Sequence, residues 1–244
     1  MKIINTTHMI KSIVYRIYSF AITFLTAYFI TGNAKLSAAI GVVENVFKIL
    51  TYYWFDIVWD KLTKKKYKNS ILWFTGLSGS GKTTIAKKLV KKLQDEGHSA
   101  MLLDGDEIRD IFKNNGFDKQ SRLNHINDVA KMAVYLQKQG IIPIVSLISP
   151  YEEARLKARG LTSDFTEIYI STPLDVCEKR DVKGLYAKAR SGEITNFTGI
   201  HESSPYEAPK NPEIKLDTSN CDIDFCVNEI LKKIKKWKNQ KLYL

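Results

Sequence analysis

Two kinds of apolar run divide this chain. From Ile17 to Ala34 no residue is charged, and from Leu36 to Trp59 the only charges are Glu44, Lys48 and Asp56. At 1.5 Å per residue each run is about long enough for roughly 30 Å of hydrocarbon, and Thr31-Gly32-Asn33 between them is a turn signal. The pattern predicts a helical hairpin in which Glu44 and Lys48, four apart on one face, pair with each other rather than face lipid singly. Tyr52, Tyr53, Trp54 and Trp59 make an aromatic belt near its end. After a short linker, Lys64 to Asn69, the runs shorten and change character. Strand-like segments at Ile71 to Thr75, Ala100 to Asp104, Ile141 to Ile148, Thr166 to Ser171 and Glu213 to Leu216 alternate with helical stretches, which predicts a parallel sheet with helices on both faces. The last helix, Ile223 to Trp237, puts Ile223, Val227, Ile230, Leu231 and Ile234 on one face and its lysines elsewhere.

Charge sharpens this division. Of the formal net charge of +11 over 244 residues, +7 lies in residues 1 to 69, the most apolar part of the chain. The basic excess therefore belongs to the flanks of a hairpin and argues against nucleic acid as a partner. Lys2, Lys11 and Arg16 precede the first run, Lys61, Lys64, Lys65, Lys66 and Lys68 follow the second, and only Lys35 lies between. By the positive-inside rule both ends face the cytoplasm, which predicts a multi-pass protein of the cell inner membrane with its larger domain cytoplasmic. Two successive apolar runs without a small-residue cleavage site do not fit a cleaved signal peptide. An interfacial amphipathic hairpin, or a helical pair packed on the rest of the protein, is the alternative. Cys177, Cys221 and Cys226 have no metal-ligand spacing and read as reduced thiols.

Residues Gly76-Leu77-Ser78-Gly79-Ser80-Gly81-Lys82-Thr83 fit the phosphate-loop pattern G-x-x-x-x-G-K-[ST], between an apolar strand and a helix that opens at Thr84. Glycines let the backbone curl so that its N–H groups point at the ligand, and the helix N-terminus adds its positive dipole end. Lys82 reaches the outer phosphates and Thr83 supplies a hydroxyl to Mg²⁺. The chain is expected to bind a nucleoside triphosphate. The second strand ends in Asp104-Gly105-Asp106, which places two carboxylates beside this loop at the sheet's carboxyl edge, where ligands bind in open parallel sheets. There they orient Mg²⁺ through water or accept a proton from an attacking hydroxyl. A helix cap is the other reading of Asp106.

The sequence then resembles the adenylylsulfate kinases from Ser70 to about Thr218. The resemblance runs through Trp73-Phe74-Thr75 and the phosphate loop, Leu102-Leu103-Asp104-Gly105-Asp106, Gly116-Phe117 and Ile148-Ser149-Pro150-Tyr151. Its most specific block is Pro173-Leu174, Cys177-Glu178, Arg180-Asp181, Lys183-Gly184-Leu185-Tyr186, Lys188-Ala189-Arg190, Asn196-Phe197-Thr198-Gly199-Ile200 and Tyr206-Glu207-Ala208-Pro209. It implies a P-loop NTPase-type α/β fold over residues 70–244, behind a two-helix membrane hairpin and basic linker at 1–66 that resembles a small uncharacterised two-helix family. It implies an ATP- and Mg²⁺-dependent kinase of the 3′-hydroxyl of adenosine 5′-phosphosulfate. Phe117 and Phe197 would stack on the acceptor base, Arg109 and Arg122 would meet its phosphosulfate, and Asp104 and Ile148 would complete the acceptor site. Arg180 would join the ATP site, and Lys183, Lys188 and Arg190 a mobile lid. Ser149 is the residue assigned as a phosphoserine in bacterial members. Direct in-line transfer is preferred here, because phosphoryl transfer needs positioning and charge neutralisation more than a covalent stop.

Departures from the family pattern bear on the acceptor. Glu107 follows Asp106 where an asparagine is usual, and His125-Ile126-Asn127-Asp128 replaces Asn-Ile-Arg-Arg, so an asparagine that contacts substrate becomes His125. A kinase of another activated nucleotide, such as cytidine diphosphoramidate, is the runner-up. A membrane scaffold that binds nucleotide without turnover is the reading from another class. Besides nucleotide and membrane, a homodimer is left open.

Overall fold

The computed structural model describes residues 20–63, 67, 69–112 and 116–240. The chain divides into two compact units, Met1–Lys64 and Lys65–Leu244.

In the first unit, helix α1 (20–31) and helix α2 (Ala34–Thr63) are joined by Gly32 and Asn33. Gly32 turns the chain at φ 64°, and Asn33 Oδ1 accepts from the backbone N–H of Lys35 and Leu36 at 3.0 and 3.2 Å, capping α2. Small and polar residues line the seam: Ala27 and Ser37 are buried, Thr31 and Ser37 exchange a hydroxyl bond at 3.1 Å, and Gly41 lies under the Phe20 ring. Glu44 and Lys48 pair at 2.6 Å. The outer faces carry exposed Leu25, Phe29, Ile30, Val42, Val46, Phe47, Tyr53 and Trp54.

Among the described residues, no helix is long and apolar enough to cross a membrane, which departs from the two crossing helices expected. For α2 the physical reason is dilution by Lys35, Glu44, Lys48, Asp56, Asp60 and Lys61, all within it; α1 is described only from residue 20. Lys2, Lys11, Arg16 and Ile17 lie outside the described residues, as do Lys64, Lys65, Lys66 and Lys68. So do the side chains of Tyr52, Asp56, Trp59 and Lys61.

The second unit is a five-stranded parallel sheet of order β2-β3-β1-β4-β5. The strands are β1 (Ile71–Thr75), β2 (Ala100–Asp104), β3 (Ile142–Ser146), β4 (Phe165–Ile170) and β5 (Ile214–Leu216). β1 and β3 are buried at every position, as continuous apolar runs covered on both faces must be. Leu72 and Phe74 point to one core with α3 (Lys82–Asp95) and α9 (Ile223–Gln240). Ile71 and Trp73 point to the other, with α4 (Gly105–Phe112), α5 (Lys119–Lys138) and α6 (Glu152–Gly160). Two short helices, α7 (Leu174–Arg180) and α8 (Leu185–Arg190), follow β4. Strand order reverses around β1, so the loop that leaves it sits at the topological switch point.

A buried ion pair braces this sheet from the side. Arg155 Nε lies 2.9 Å from Glu167 Oε1, with both side chains almost fully buried, and the other guanidinium nitrogens donate to Ser149 O at 2.8 Å and Glu207 O at 2.7 Å. Arg155→Met would leave two carbonyls short of a donor and the buried Glu167 carboxylate with only the more distant Arg159 as its cation. The expected cost is about 3–5 kcal/mol, read as a fall in the urea midpoint at unchanged m-value. A loss below about 1 kcal/mol would show that the pair does not hold the fold.

Candidate active site

Within the loop between β1 and α3, Ser80 N–H donates to Leu77 O at 3.3 Å, and among the described residues the donors at the start of the helix stay open. Gly81, the N-cap of α3, sits at φ 96° and offers no side-chain cap, so the first N–H groups of the helix stay available to an anion. At the other end Gly76 has φ 150°, and a Cβ there would lie 2.5 Å from Ile170 O. The loop thus lies against the end of β4 as only glycine allows. Leu77, Ser78 and Gly79 are half-buried, Ser80 is buried and Thr84 is exposed. Thr218 Oγ1 donates to Ser80 O at 2.9 Å and stands 2.8 Å from Thr172 Oγ1, which fixes the loop from the ends of β4 and β5.

Lys82 is buried in this loop, with Nζ donating to Leu77 O at 2.7 Å. Burial pulls its ammonium down to about 8, and the neighbouring Cys177 and Asp104 oppose that shift. A bound polyphosphate would supply the missing negative charge. Thr83 Oγ1 donates to Asp104 Oδ2 at 2.9 Å and lies 3.0 Å from Ser146 Oγ. Register explains the meeting: Asp104 and Ser146 are direct partners at the ends of β2 and β3. Asp104 Oδ1 also accepts from the Asp106 N–H at 3.1 Å, so Asp104 caps α4 while Asp106 stands exposed in its first turn. Lys183 bonds the Asp106 carboxylate, which raises the Lys183 ammonium above its ordinary value.

Two aromatic residues stand beyond the carboxylates. Phe117 is largely exposed, with the Arg109 guanidinium 4.8 Å over its ring, and Arg109 Nη1 donates to Gly116 O at 3.0 Å. Desolvation lowers the Arg109 pKa, with Arg122 adding to it. Phe197 is half-buried and meets the Tyr186 ring edge-on at 5.0 Å, and Tyr186 OH donates to Ser78 O at 2.9 Å. One contact path therefore connects Phe197 through α8 to the phosphate loop. Arg122 is only 8% exposed, with its guanidinium turned to Phe117 O, Asn196 O and Thr198 Oγ1.

The remaining predicted positions separate. Ser149 is 2% exposed, its backbone is left-handed at φ 39°, and its hydroxyl accepts from Trp73 Nε1 at 3.1 Å. Ile148 is half-buried, and its carbonyl accepts from Thr75 Oγ1 at 2.7 Å. His125 is 2% exposed on α5, and neither ring nitrogen has a hydrogen-bond partner among the described residues. Burial, reinforced by the Arg109 charge, pulls its imidazole down to about 4. Glu107 is exposed in the first turn of α4, where the helix dipole favours a carboxylate. Of the lid cations, Lys183 reaches the site. Arg180 donates to Thr218 Oγ1 and O at 2.8 and 2.7 Å. Lys188 and Arg190 instead pair with Glu193 and Glu178 on the exposed surface.

Sequence reasoning passed over Thr218, Ser146, Trp73 and Arg155 as site residues. The first two follow or end strands at the carboxyl edge, a signal that could have found them. Trp73 carries no local signal, because its partner Ser149 lies 76 residues away, and Arg155 takes its meaning from Glu167 and Glu207 as well as from nearby Ser149.

Among the described residues, no group of three or more His, Cys, Asp or Glu side chains could hold a metal ion. Thr83, Asp104 and Asp106 nevertheless offer the hard oxygen donors that suit Mg²⁺ when phosphate oxygens and water complete its shell.

Residues 9–60 match a family described as “Predicted membrane protein (DUF2061)”. Residues 68–217 match the family described as “Adenylylsulphate kinase”. Adenylyl-sulfate kinases of Bacillus velezensis and Clostridium acetobutylicum are 44% and 45% identical over 191 and 193 residues, which is 74% and 75% of this chain and 96% of each relative. Among solved structures, the Mycobacterium tuberculosis APS kinase in complex with AMPPNP and APS superposes with a TM-score of 0.66 at 40% identity, covering 70% of this chain and 99% of that one. A hexameric APS kinase from Thiobacillus denitrificans gives a TM-score of 0.50 at 27% identity over 72% of this chain and 31% of its own. The likeness spans the phosphate loop, the carboxylate pair and both aromatic positions, and the chain belongs to the adenylylsulfate kinase family.

Proposed function

We propose that this chain transfers the γ-phosphoryl group of ATP to the 3′-hydroxyl of adenosine 5′-phosphosulfate, while its N-terminal hairpin holds it at a membrane. The observation that carries the reaction is the meeting, at one sheet edge, of an open phosphate loop, a carboxylate pair and two aromatic residues. The loop N–H groups and Lys82 hold the β- and γ-phosphates, and Arg180 flanks the loop from Thr218. Thr83, with Asp104 and Asp106, would hold Mg²⁺, which supplies neutralisation of phosphate charge when bound. Phe117 and Phe197 hold the acceptor base, and Arg109 meets the acceptor's anion. Asp106 orients the 3′-hydroxyl and accepts its proton. Lys183 then exchanges the carboxylate for the transferring phosphoryl group and helps exclude water. The Ser149 hydroxyl is engaged by Trp73, which favours direct transfer to the acceptor over a phosphoserine.

The membrane role rests on the matched family and on the apolar outer faces of the hairpin, which expose Leu25, Phe29, Ile30, Val42, Val46 and Phe47. Its internal charges neutralise each other at Glu44 and Lys48. Both ends of the hairpin lie on the cytoplasmic side, with the kinase unit.

Asp106→Asn is expected to lower kcat by about 10²–10⁴ and to change the KM for ATP by less than about threefold, measured by steady-state kinetics. An unchanged kcat removes the carboxylate from the chemistry. Deletion of residues 1–66 is expected to move the protein from the membrane to the soluble fraction with its activity retained, because every named site residue lies beyond that point. Release of the full-length protein by high salt alone would show that the hairpin is not embedded.

His125 makes stability depend on pH. Its folded pKa of about 4 lies below an unfolded value of about 6.5, so the unfolded chain takes up a proton first. The contribution is complete above pH 6.5 and is lost as pH falls towards 4, on the order of 3 kcal/mol at most. His125→Asn should flatten the decline of the urea midpoint between pH 7 and 4.5. An equal decline in both proteins would show that another group is responsible.

A further inference from the structure

Lysines gather at the end of the kinase unit remote from its site. Helix α3 leaves the phosphate loop at Gly81 and runs 14 residues, about 21 Å, towards the amino edge of the sheet. Helix α9 lies beside it and runs the same way: Lys88 Nζ meets Asp224 Oδ2 at 2.6 Å and Lys92 Nζ donates to Asn228 Oδ1 at 2.6 Å, both pairs 136 residues apart. At that offset α9 continues past the last turn of α3. Lys91 and Lys92 of one helix and Lys232, Lys233 and Lys235 of the other therefore meet at the amino edge. Lys91, Lys232 and Lys233 are exposed, and among the described residues Lys91, Lys233 and Lys235 pair with no carboxylate. Of the nearby acids, Glu96 accepts from Tyr67 OH at 2.7 Å, Glu229 is paired with Lys232 at 2.7 Å, and Asp95 is exposed.

The chain enters the unit at the same edge. Tyr67 is buried there, its ring edge-on to His98 at 4.9 Å and Lys235 Nζ 5.3 Å over its face. Two residues on, Asn69 donates to Gln137 O at 2.6 Å and its own carbonyl accepts from Gln137 Nε2 at 2.8 Å. Only Lys64, Lys65 and Lys66 separate this anchor from α2 in sequence. The edge tethered to the hairpin is thus the edge that carries the lysines, and the phosphate loop opens at the opposite one. We propose that the lysines at the ends of α3 and α9 bind the phosphates of anionic phospholipid, seating the amino edge of the kinase unit on the membrane with the active site turned away from it. This rests on the reading that the hairpin is held in a membrane. Ammonium groups on long flexible stems suit a lipid surface, which offers many mobile phosphates rather than one shaped pocket. The tether favours lipid over any other polyanion, because it keeps these lysines at high effective concentration beside the bilayer. An active site on the far side also spares anionic nucleotides the repulsion of a negative surface.

The test places the full-length protein in vesicles of phosphatidylcholine, with or without about 30% phosphatidylglycerol, and reads lysine acetylation rates by mass spectrometry. Lys91, Lys233 and Lys235 are expected to react at least about fivefold more slowly in the anionic vesicles, while Lys157 and Lys179, exposed elsewhere on the unit, change by less than about twofold. Salt at about 0.5 M should restore their reactivity while the protein still sediments with the vesicles, which separates headgroup contact from embedding of the hairpin. Lys91→Glu combined with Lys233→Glu should lose most of the protection at Lys235 and keep kcat in detergent within about twofold, because both residues lie far from the phosphate loop.

Equal reactivity in both lipids, with the protein sedimenting in each, would overturn the lipid surface. Reaction already slow in phosphatidylcholine, relative to detergent, would mean that protein covers this face. Protection conferred there by an added oligonucleotide, and not by phosphatidylglycerol, would assign the lysines to nucleic acid. Either result overturns the proposal. A protein that fails to sediment with phosphatidylcholine vesicles contradicts the embedded hairpin instead, a failure distinct from that of the lysines, whose protection is read in the anionic vesicles. Should the double variant fail to fold, the salt series on the unaltered protein decides: protection that survives about 0.5 M salt contradicts a headgroup contact.

Discussion

The site depends on keeping the first backbone N–H groups of α3 unpartnered yet rigid. A helix start is ordinarily capped by a side chain, and here Gly81 leaves that place open. An open cap is useful only if the loop before it cannot collapse onto its own donors. Three contacts prevent collapse: Gly76 pressed against Ile170 O, Thr218 bonded to Ser80 O, and Tyr186 bonded to Ser78 O. They come from β4, the end of β5 and α8, so the order of strands around β1 serves to deliver braces to one loop.

The same logic extends outward. Lys82, buried below its ordinary pKa with the neutral Leu77 carbonyl as partner, and Asp106, paired with Lys183, hold internal contacts that a substrate must replace. Exchange of this kind favours a ligand whose charge matches, since a neutral molecule would leave the lysine or carboxylate short of a partner. The buried Arg155–Glu167 pair fixes the strained turn at Ser149 and the Glu207 segment, and Thr75 joins Ile148 O to Tyr206. The acceptor side of the site thus rests on the sheet's lateral bracing as much as on its own loops.

Much of this was legible in the sequence, for reasons that differ by element. β1 read at its true limits because a parallel strand buried on both faces appears as a continuous apolar run between turn signals, and β2, an edge strand with Met101 exposed, because Asp104-Gly105 closes its short apolar run. β3 was expected to reach Ile148, but pairing stops at Ser146, because the chain must leave the sheet to bring Ser149 into its left-handed turn. The phosphate loop and Asp104 were readable because their chemistry is local. Arg155 was not, since its meaning lies in three partners spread over Ser149, Glu167 and Glu207, and a sequence shows an arginine's charge but not where its donors go. His125 could have been a surface residue on a helix, yet it is buried on α5 beside Gly105 and Arg109 of α4. In the hairpin, the apolar runs announced helices, while among the described residues the charges scattered along α2 leave its hydropathy below that of a spanning segment.

The most direct measurement of the central claim is ³¹P NMR of the full-length protein incubated with Mg²⁺, ATP and either adenosine 5′-phosphosulfate or a cytidine 5′-diphosphate anhydride. The account predicts a new 3′-phosphomonoester resonance on the adenosine nucleotide, rising as γ-phosphate is consumed, with the cytidine compound unchanged. Consumption of ATP without that resonance, or its appearance on the cytidine nucleotide alone, would contradict it.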